Sequence, residues 1–271
     1  MGLFRLQRLA EVSSTNDVVK EALERGEAEG LAVTAQRQSG GYGRQGRSWA
    51  SPVGGMYLSV LLRPQVACAQ LPTLSLVVAV AVRQALASLL PEASGRRVRV
   101  KWPNDVVCAE TGESQALAFR KLVGISLEQH AGGLCVGIGA NVLPPAGEAA
   151  PVAGKNEPAY LEELGLGGTC EPQAAIEEVR GAVLRELEGA YRRWLAEGFA
   201  PFAQEYADHE LLAGCLVAIE DRNGSPLAAG LVEGVDGQGH LLVREEGATA
   251  PVAVSSGEAH VARARYQLSS S

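Results

Sequence analysis

The chain has 271 residues, of which 46% are hydrophobic and 20% charged, with a formal net charge of −7 at pH 7. That is room for one large domain, or a main domain with a small companion, with enough apolar residues to bury a core, and the acidic balance argues against a general nucleic-acid binder. Its five cysteines (Cys68, Cys108, Cys135, Cys170, Cys215) form no C-x-x-C pair and its four histidines are dispersed, which fits reduced thiols in a cytoplasm and reveals neither a disulfide framework nor a metal constellation.

Residues 1–10 already carry Arg5 and Arg8, so no secretory signal is expected there. The run Ser14-Ser-Thr-Asn-Asp17 is rich in helix-capping residues and Val18, Val19, Ala22 and Leu23 follow at one-face spacing, predicting a helix that Gly26 ends. Residues 31–35 and 56–62 read as strands. Residues 64–82 are uncharged, but Pro64, Gln65, Gln70 and Pro72 interrupt them, so a buried helix over 72–90 is expected rather than a membrane span. Strands are expected over 98–101, 121–128 and 134–138, a mobile Pro/Ala/Gly-rich loop over 144–158, and helices over 173–195 and 201–209. From Leu211 onward, short β-prone runs (215–219, 227–235, 240–243, 251–255) alternate with turns, the pattern of a small all-β barrel of about 60 residues. A domain boundary is therefore expected near Leu211, giving domains of 1–210 and 211–271.

Charge is distributed unevenly. Residues 30–91 contain no Asp or Glu but include Arg37, Arg44, Arg47, Arg63 and Arg83, so the segment is +5 and the remainder −12. A local positive field in an acidic chain points to a bound anion of limited size. Within it lies Gln38-Ser-Gly-Gly-Tyr-Gly-Arg-Gln-Gly-Arg-Ser-Trp49, where glycines let backbone N–H groups approach an anion and Arg44 and Arg47 supply guanidinium forks. Residues 41–46 formally match the dinucleotide fingerprint G-x-G-x-x-G. The residues after Gly46 cannot open a helix, and no acid occurs before Glu92, so that reading fails.

Three further motifs lie downstream. Val100-Lys-Trp-Pro-Asn-Asp-Val106 is a strand running into a Pro-fixed turn that presents Asn104 and Asp105. Arg120-Lys-Leu-Val-Gly-Ile-Ser126 opens a strand with Lys121, and Gly124 permits close backbone approach. Val136-Gly-Ile-Gly-Ala-Asn141 is an apolar strand ending on an amide. The chain has four lysines against 20 arginines, and Lys101 and Lys121 fall in these motifs, which hints that an ammonium point charge is wanted there. Each motif also has a plain structural reading: a solvated loop, an edge-strand lysine, an Asn in a turn.

Taken together, with Ser14-Thr15-Asn16 in front, these motifs resemble in order and spacing those of biotin protein ligases, also called biotin–[acetyl-CoA carboxylase] ligases, from about Val12 to Asn141 and more loosely through the C-terminal region. The resemblance implies an α+β fold: a mixed β-sheet catalytic domain flanked by helices (class II synthetase-like, the biotin–lipoate ligase fold) plus a C-terminal SH3-like β-barrel. It implies that biotin's carboxylate attacks the α-phosphate of ATP, with Mg²⁺, to give biotinyl-5′-AMP, and that a lysine of a biotin carboxyl carrier protein then takes the biotinyl group.

By the same resemblance, Ser14, Thr15, Asn16 and Gln38 meet the ureido head of biotin, and Gly41, Tyr42 and Gly43 contribute backbone along its tail. Arg44 and Lys121 hold the reacting carboxylate and phosphate, beside Gly124. Arg47 and Trp49 order the loop and bind nucleotide phosphates together with Lys101 and Asn104, Asn141 lies near the triphosphate and its Mg²⁺, and Asp105 orients or deprotonates the acceptor lysine.

Two departures stand out: many members have arginine where this chain has Tyr42, and the stretch from Asp105 to Lys121, carrying Glu110, Thr111, Gly112 and Glu113, looks like an extended hairpin turn. The chain begins directly at the catalytic region, so no helix-turn-helix domain and no DNA binding are expected, and the resemblance leaves room for a homodimer. A lipoate or octanoate ligase of the same superfamily, and a non-catalytic small-molecule-sensing module, are the competing readings.

Overall fold

The computed structural model describes residues 2–110, 117–145, 157–167 and 171–263. The core of the extended hairpin turn expected after Glu110 and most of the loop expected over 144–158 lie outside these residues.

The chain opens with a strand that the sequence pattern did not announce, β1 (Arg5–Val12). Its alternation of exposed arginines and glutamine with half-buried Leu6 and Leu9 is that of a sheet edge. Helix α1 (Thr15–Glu24) follows, capped by Ser14, whose hydroxyl accepts the Asn16 N–H at 3.3 Å, with Asp17 complementing the positive end of the helix dipole. Gly26, at φ 74°, closes it.

Strands β2 (Leu31–Gln38) and β3 (Gly55–Leu62) flank the glycine-arginine loop. Helix α2 (Leu71–Ser88), with Pro72 in its first turn, leads through the short α3 (Glu92–Gly95) to β4 (Val98–Lys101) and β5 (Asp105–Ala109). Strands β6 (Phe119–His130) and β7 (Gly133–Asn141) form a long hairpin, and helices α4 (Pro172–Glu197) and α5 (Ala203–His209) complete this part.

Seven strands form one mixed sheet in the order β1-β2-β3-β7-β6-β5-β4, parallel only between β1 and β2. The order places β3, β7 and β6 side by side at the centre, where β3 is buried along its whole length. Together with the 3₁₀ turn before it, α2 is long and apolar enough to cross a bilayer by length and composition, but 61% of its most apolar stretch is buried inside the protein. It packs against α4 and the β4–β6 side of the sheet, and each buried Leu or Val there contributes roughly 1.5–3 kcal/mol, so it is a core helix.

The remaining strands, β8 (Leu216–Glu220), β9 (Pro226–Val235), β10 (Leu241–Arg244), β11 (Val252–Val254) and β12 (Glu258–Arg263), form an antiparallel sheet in the order β11-β10-β9-β8-β12. Among the described residues the strand pairing does not close this sheet into a barrel. Its buried residues are continuous with those of the larger sheet. The fully buried Trp102 spans the junction, donating its indole N–H to Gly239 O at 3.1 Å.

Glu210 sits at the same junction, 2% exposed, with a carboxylate oxygen accepting the Ala213 N–H, while Leu211 N–H reaches Val100 O on β4 at 2.8 Å. Burial pushes this carboxyl up to about 7 from its ordinary 4.5, against the pull of the Leu212, Ala213 and Trp102 N–H groups and the Lys101 charge. A carboxyl whose folded pKa is raised stabilises the fold fully below its unfolded value, and that contribution is lost as pH rises through the folded one. The melting temperature of the unmodified chain relative to Glu210→Gln should therefore fall by a few degrees between about pH 4.5 and 7 and level off above; differential scanning calorimetry showing a flat difference across that window would contradict the assignment.

Candidate active site

Three glycines on β6 and β7 shave one face of the central strands. A Cβ on Gly137 would lie 2.3 Å from Asn16 Oδ1 and 2.6 Å from Ser126 Oγ; one on Gly139 would lie 2.6 Å from Trp49 Nε1; one on Gly124 would lie 2.8 Å from Trp49 Cζ3. Only side-chain-free backbone lets α1 and the glycine-arginine loop come this close to the sheet. Between them lies a cavity of about 1400 Å³. That exceeds the usual range for a single small ligand and suits two that must meet.

One end of the cavity is polar and uncharged. Thr15 donates its N–H and hydroxyl to Gln38 Oε1 at 2.7 and 3.0 Å, and Gln38 Nε2 donates to Ser51 Oγ at 2.8 Å. Ser59 Oγ lies 2.7 Å from both Thr15 Oγ1 and Asn16 Oδ1, and Asn16 Nδ2 donates to Ser126 Oγ at 3.3 Å. Ser14, Thr15, Asn16, Ser59 and Ser126 are all buried. Ser59 and Ser126 were given no role from the sequence; for Ser59 the available signal was a lone serine inside the apolar strand Gly55–Leu62.

The other end is cationic. The loop is a small hairpin: Gly43 N–H bonds Arg47 O and Trp49 N–H bonds Gly41 O, both at 2.8 Å, around a turn in which Gln45 and Gly46 take left-handed backbone at φ 60° and 72°. Arg44 donates to Asn104 Oδ1 at 3.0 Å, and Asn104 is itself fixed by donating to Ile125 O at 2.6 Å. Lys121 pairs with Asp105 at 2.8 Å and lies 5.3 Å from the Trp49 ring centroid. Lys101 is only 5% exposed.

Burial holds both Arg44 and Lys101 below their ordinary pKa values. Asp105 offsets the effect at each, while Arg47 adds to it at Arg44 and Lys121 at Lys101. A cationic cluster that costs desolvation and is only partly neutralised is stabilised by an incoming anion.

Every site residue named from the sequence lines this cavity except Gly41, which lies behind it, where a Cβ would stand 2.4 Å from Ser51 Oγ. Arg47 reaches across to Glu258 of β12 at 2.6 Å, so the smaller sheet also borders the cavity, a partner no local pattern announced. Asn141 donates its amide to Lys121 O at 3.0 Å, which keeps its amide oxygen as its donor to a cation. Among the described residues no group of three or more His, Cys, Asp or Glu side chains could hold a metal.

The model of the biotin/lipoate A/B protein ligase family matches residues 9–142. A biotin–[acetyl-CoA-carboxylase] ligase of Paracoccus denitrificans is 34% identical over 249 residues, covering 87% of this chain and 92% of that protein. The bifunctional ligase/repressor BirA of Bacillus subtilis (strain 168) is 30% identical, covering 86% and 67% respectively. In structure, the biotin protein ligase of Aquifex aeolicus in complex with biotin and ATP superposes with a TM-score of 0.74 at 29% identity, covering 96% of this chain and 99% of that one.

Trp49 has a buried indole N–H with no hydrogen-bond partner and rests on the glycine floor. Gly139→Ala should drive the ring off that floor, giving a red-shifted tryptophan emission and stronger acrylamide quenching, since Trp102 and Trp194 are each 1% exposed and unaffected. Unchanged emission would place the ring elsewhere.

Proposed function

Because the chain belongs to the biotin/lipoate A/B protein ligase family, we propose how its own residues carry the family's reaction. The chain activates biotin with ATP and transfers the biotinyl group to a carboxylase carrier protein. One observation carries the residue assignment: a single cavity has a neutral hydrogen-bonding end at Thr15, Asn16 and Ser59 and a cationic end at Arg44, Lys101 and Lys121.

The neutral end suits the ureido head of biotin, with Ser14, Thr15, Asn16 and Gln38 supplying donors and acceptors. A fatty acyl chain would cover this buried polar network without offering it a donor or an acceptor, which disfavours an octanoyl substrate. The biotin tail then runs along Tyr42 and Gly43 and over Gly124 toward Arg44 and Lys121, with Gly41 acting only from behind the cavity wall.

The first step joins two anions. Biotin's carboxylate oxygen bonds to the α-phosphorus of ATP, the bond to the β-phosphate oxygen breaks, and pyrophosphate leaves. Arg44 and Lys121 offset the repulsion and stabilise the charge spread over the α-phosphate oxygens. Lys101, Arg47 and Asn104 line the nucleotide side, Trp49 packs beside it, and Asn141 would hold, through its amide oxygen, a Mg²⁺ whose charge would offset that of the phosphates.

In the second step the carrier lysine's amine attacks the acyl carbon, the bond to the phosphate oxygen breaks, and AMP leaves. Asp105, paired with Lys121 before substrate binds, becomes available to the incoming ammonium as the adenylate draws on Lys121. Among the described residues, the free thiols at Cys68, Cys108 and Cys135 support a cytoplasmic setting, and the acidic net charge supports a ligase that acts without DNA.

The test is pyrophosphate release by the purified chain with biotin, ATP and Mg²⁺. Arg44→Ala or Lys121→Ala should lower the single-turnover rate by roughly 10²–10³, the cost of removing one preorganised charge-stabilising donor. A folded variant that keeps the unmodified rate would remove that residue from the mechanism. Parallel calorimetric titration with biotin and lipoate checks the assignment of the polar end.

A further inference from the structure

Arg44, Arg47 and Tyr42 are three of the side chains that tie the glycine-arginine loop to the body of the protein. Arg44 bonds Asn104 and Arg47 pairs with Glu258; both are cations that the nucleotide draws on during the reaction. The third anchor is Tyr42, whose bonds the reaction leaves alone. Its phenol donates to Asp17 Oδ1 at 2.8 Å and accepts from Lys20 Nζ at 2.9 Å, with the ammonium 5.1 Å from its ring centroid.

Lys20 also pairs with Glu128 of β6, and Glu128 accepts from Asn16 Nδ2 at 3.4 Å. A continuous line of hydrogen bonds therefore runs from the loop, through the half-buried Lys20 of α1, to the Asn16 amide in the polar end of the cavity. Burial is the largest influence raising the phenol, to about 12, with the Asp17 bond acting in the same direction and the Lys20 bond opposing it. Burial lowers Lys20, but its bonds to Glu128 and Tyr42 outweigh that and raise it. At neutral pH the phenol keeps its proton and Lys20 its charge, so both bonds persist.

We infer that Tyr42 is a positioning residue: by bolting the Gly41–Gly43 turn to α1 through Asp17 and Lys20, it holds shut the biotin side of the cavity and sets how fast biotinyl-adenylate escapes before transfer. This rests on the ligase reading above. It assigns a role to the Tyr42 side chain and names two residues, Asp17 and Lys20, that line no part of the cavity.

The experiment preloads the unmodified chain with labelled biotin, ATP and Mg²⁺, then follows escape of labelled adenylate into excess unlabelled biotin. Losing one charge-assisted hydrogen bond corresponds to about a tenfold faster escape. Tyr42→Phe and Lys20→Met should each show it. With Lys20→Met the change should fall on KM for biotin and on escape, leaving kcat for adenylation within about twofold.

The double variant should escape no faster than Tyr42→Phe alone, because both substitutions break one device, and Lys20→Arg should restore retention. Escape at the unmodified rate in Tyr42→Phe, additive effects in the double variant, or equal falls in kcat and melting temperature would each overturn the inference while leaving the ligase reading intact. Failure of the unmodified chain to form adenylate would overturn both.

Discussion

Two like-charged groups, a carboxylate and a triphosphate, have to be pressed together, and the site must hold positive charge out of water in order to do it. Ammonium and guanidinium groups resist that treatment, because each gives up hydration when it is buried. The fold answers with partners that orient these cations without cancelling them. Arg44 is held by a neutral amide, Asn104, and a single carboxylate, Asp105, pairs with Lys121 while also acting on Lys101 and Arg44. Burial still depresses Arg44 and Lys101, a residual cost of the kind that a bound anion would relieve.

The geometry that makes this possible is written in absences. Gly124, Gly137 and Gly139 remove side chains from the middle of a sheet that is otherwise packed with Val, Ile and Leu, and α1 and Trp49 settle into the space. A methyl group at any of the three would meet Asn16, Ser126 or Trp49 at well under van der Waals distance. Shape at the polar end and placement of the loop at the cationic end therefore share one origin.

Much of this was legible in sequence. The helix after Ser14, the buried helix from Leu71 to Ser88, the strands carrying Lys101, Lys121 and Asn141 and the run of short C-terminal strands all arise from local capping, periodicity and turn chemistry. The motifs that carry chemistry were equally local, since each is a few residues long. The G-x-G-x-x-G spacing was the misleading signal, and only its surroundings dismissed it.

What escaped depends on partners far away in sequence. Strand β1 reads as charged and polar until β2 is laid beside it, and Ser59 and Ser126 gain meaning only because β3 and β6 flank β7 opposite Asn16. The Arg47–Glu258 and Trp102–Gly239 links join residues more than 130 positions apart, beyond any local pattern.

The scarcity of lysine takes on another meaning in a chain that manufactures a reactive acyl phosphate. Primary amines are what such an anhydride modifies, and this chain carries only four on lysine side chains. The three among the described residues are all occupied: Lys20 is held as an ammonium by Glu128 and Tyr42, Lys121 is paired with Asp105, and Lys101 is 5% exposed. Arginine, protonated throughout, supplies positive charge elsewhere without nucleophilicity. Positive charge carried as guanidinium thus adds no nucleophile to the chain, and before substrate binds each described ammonium is buried or held by a carboxylate.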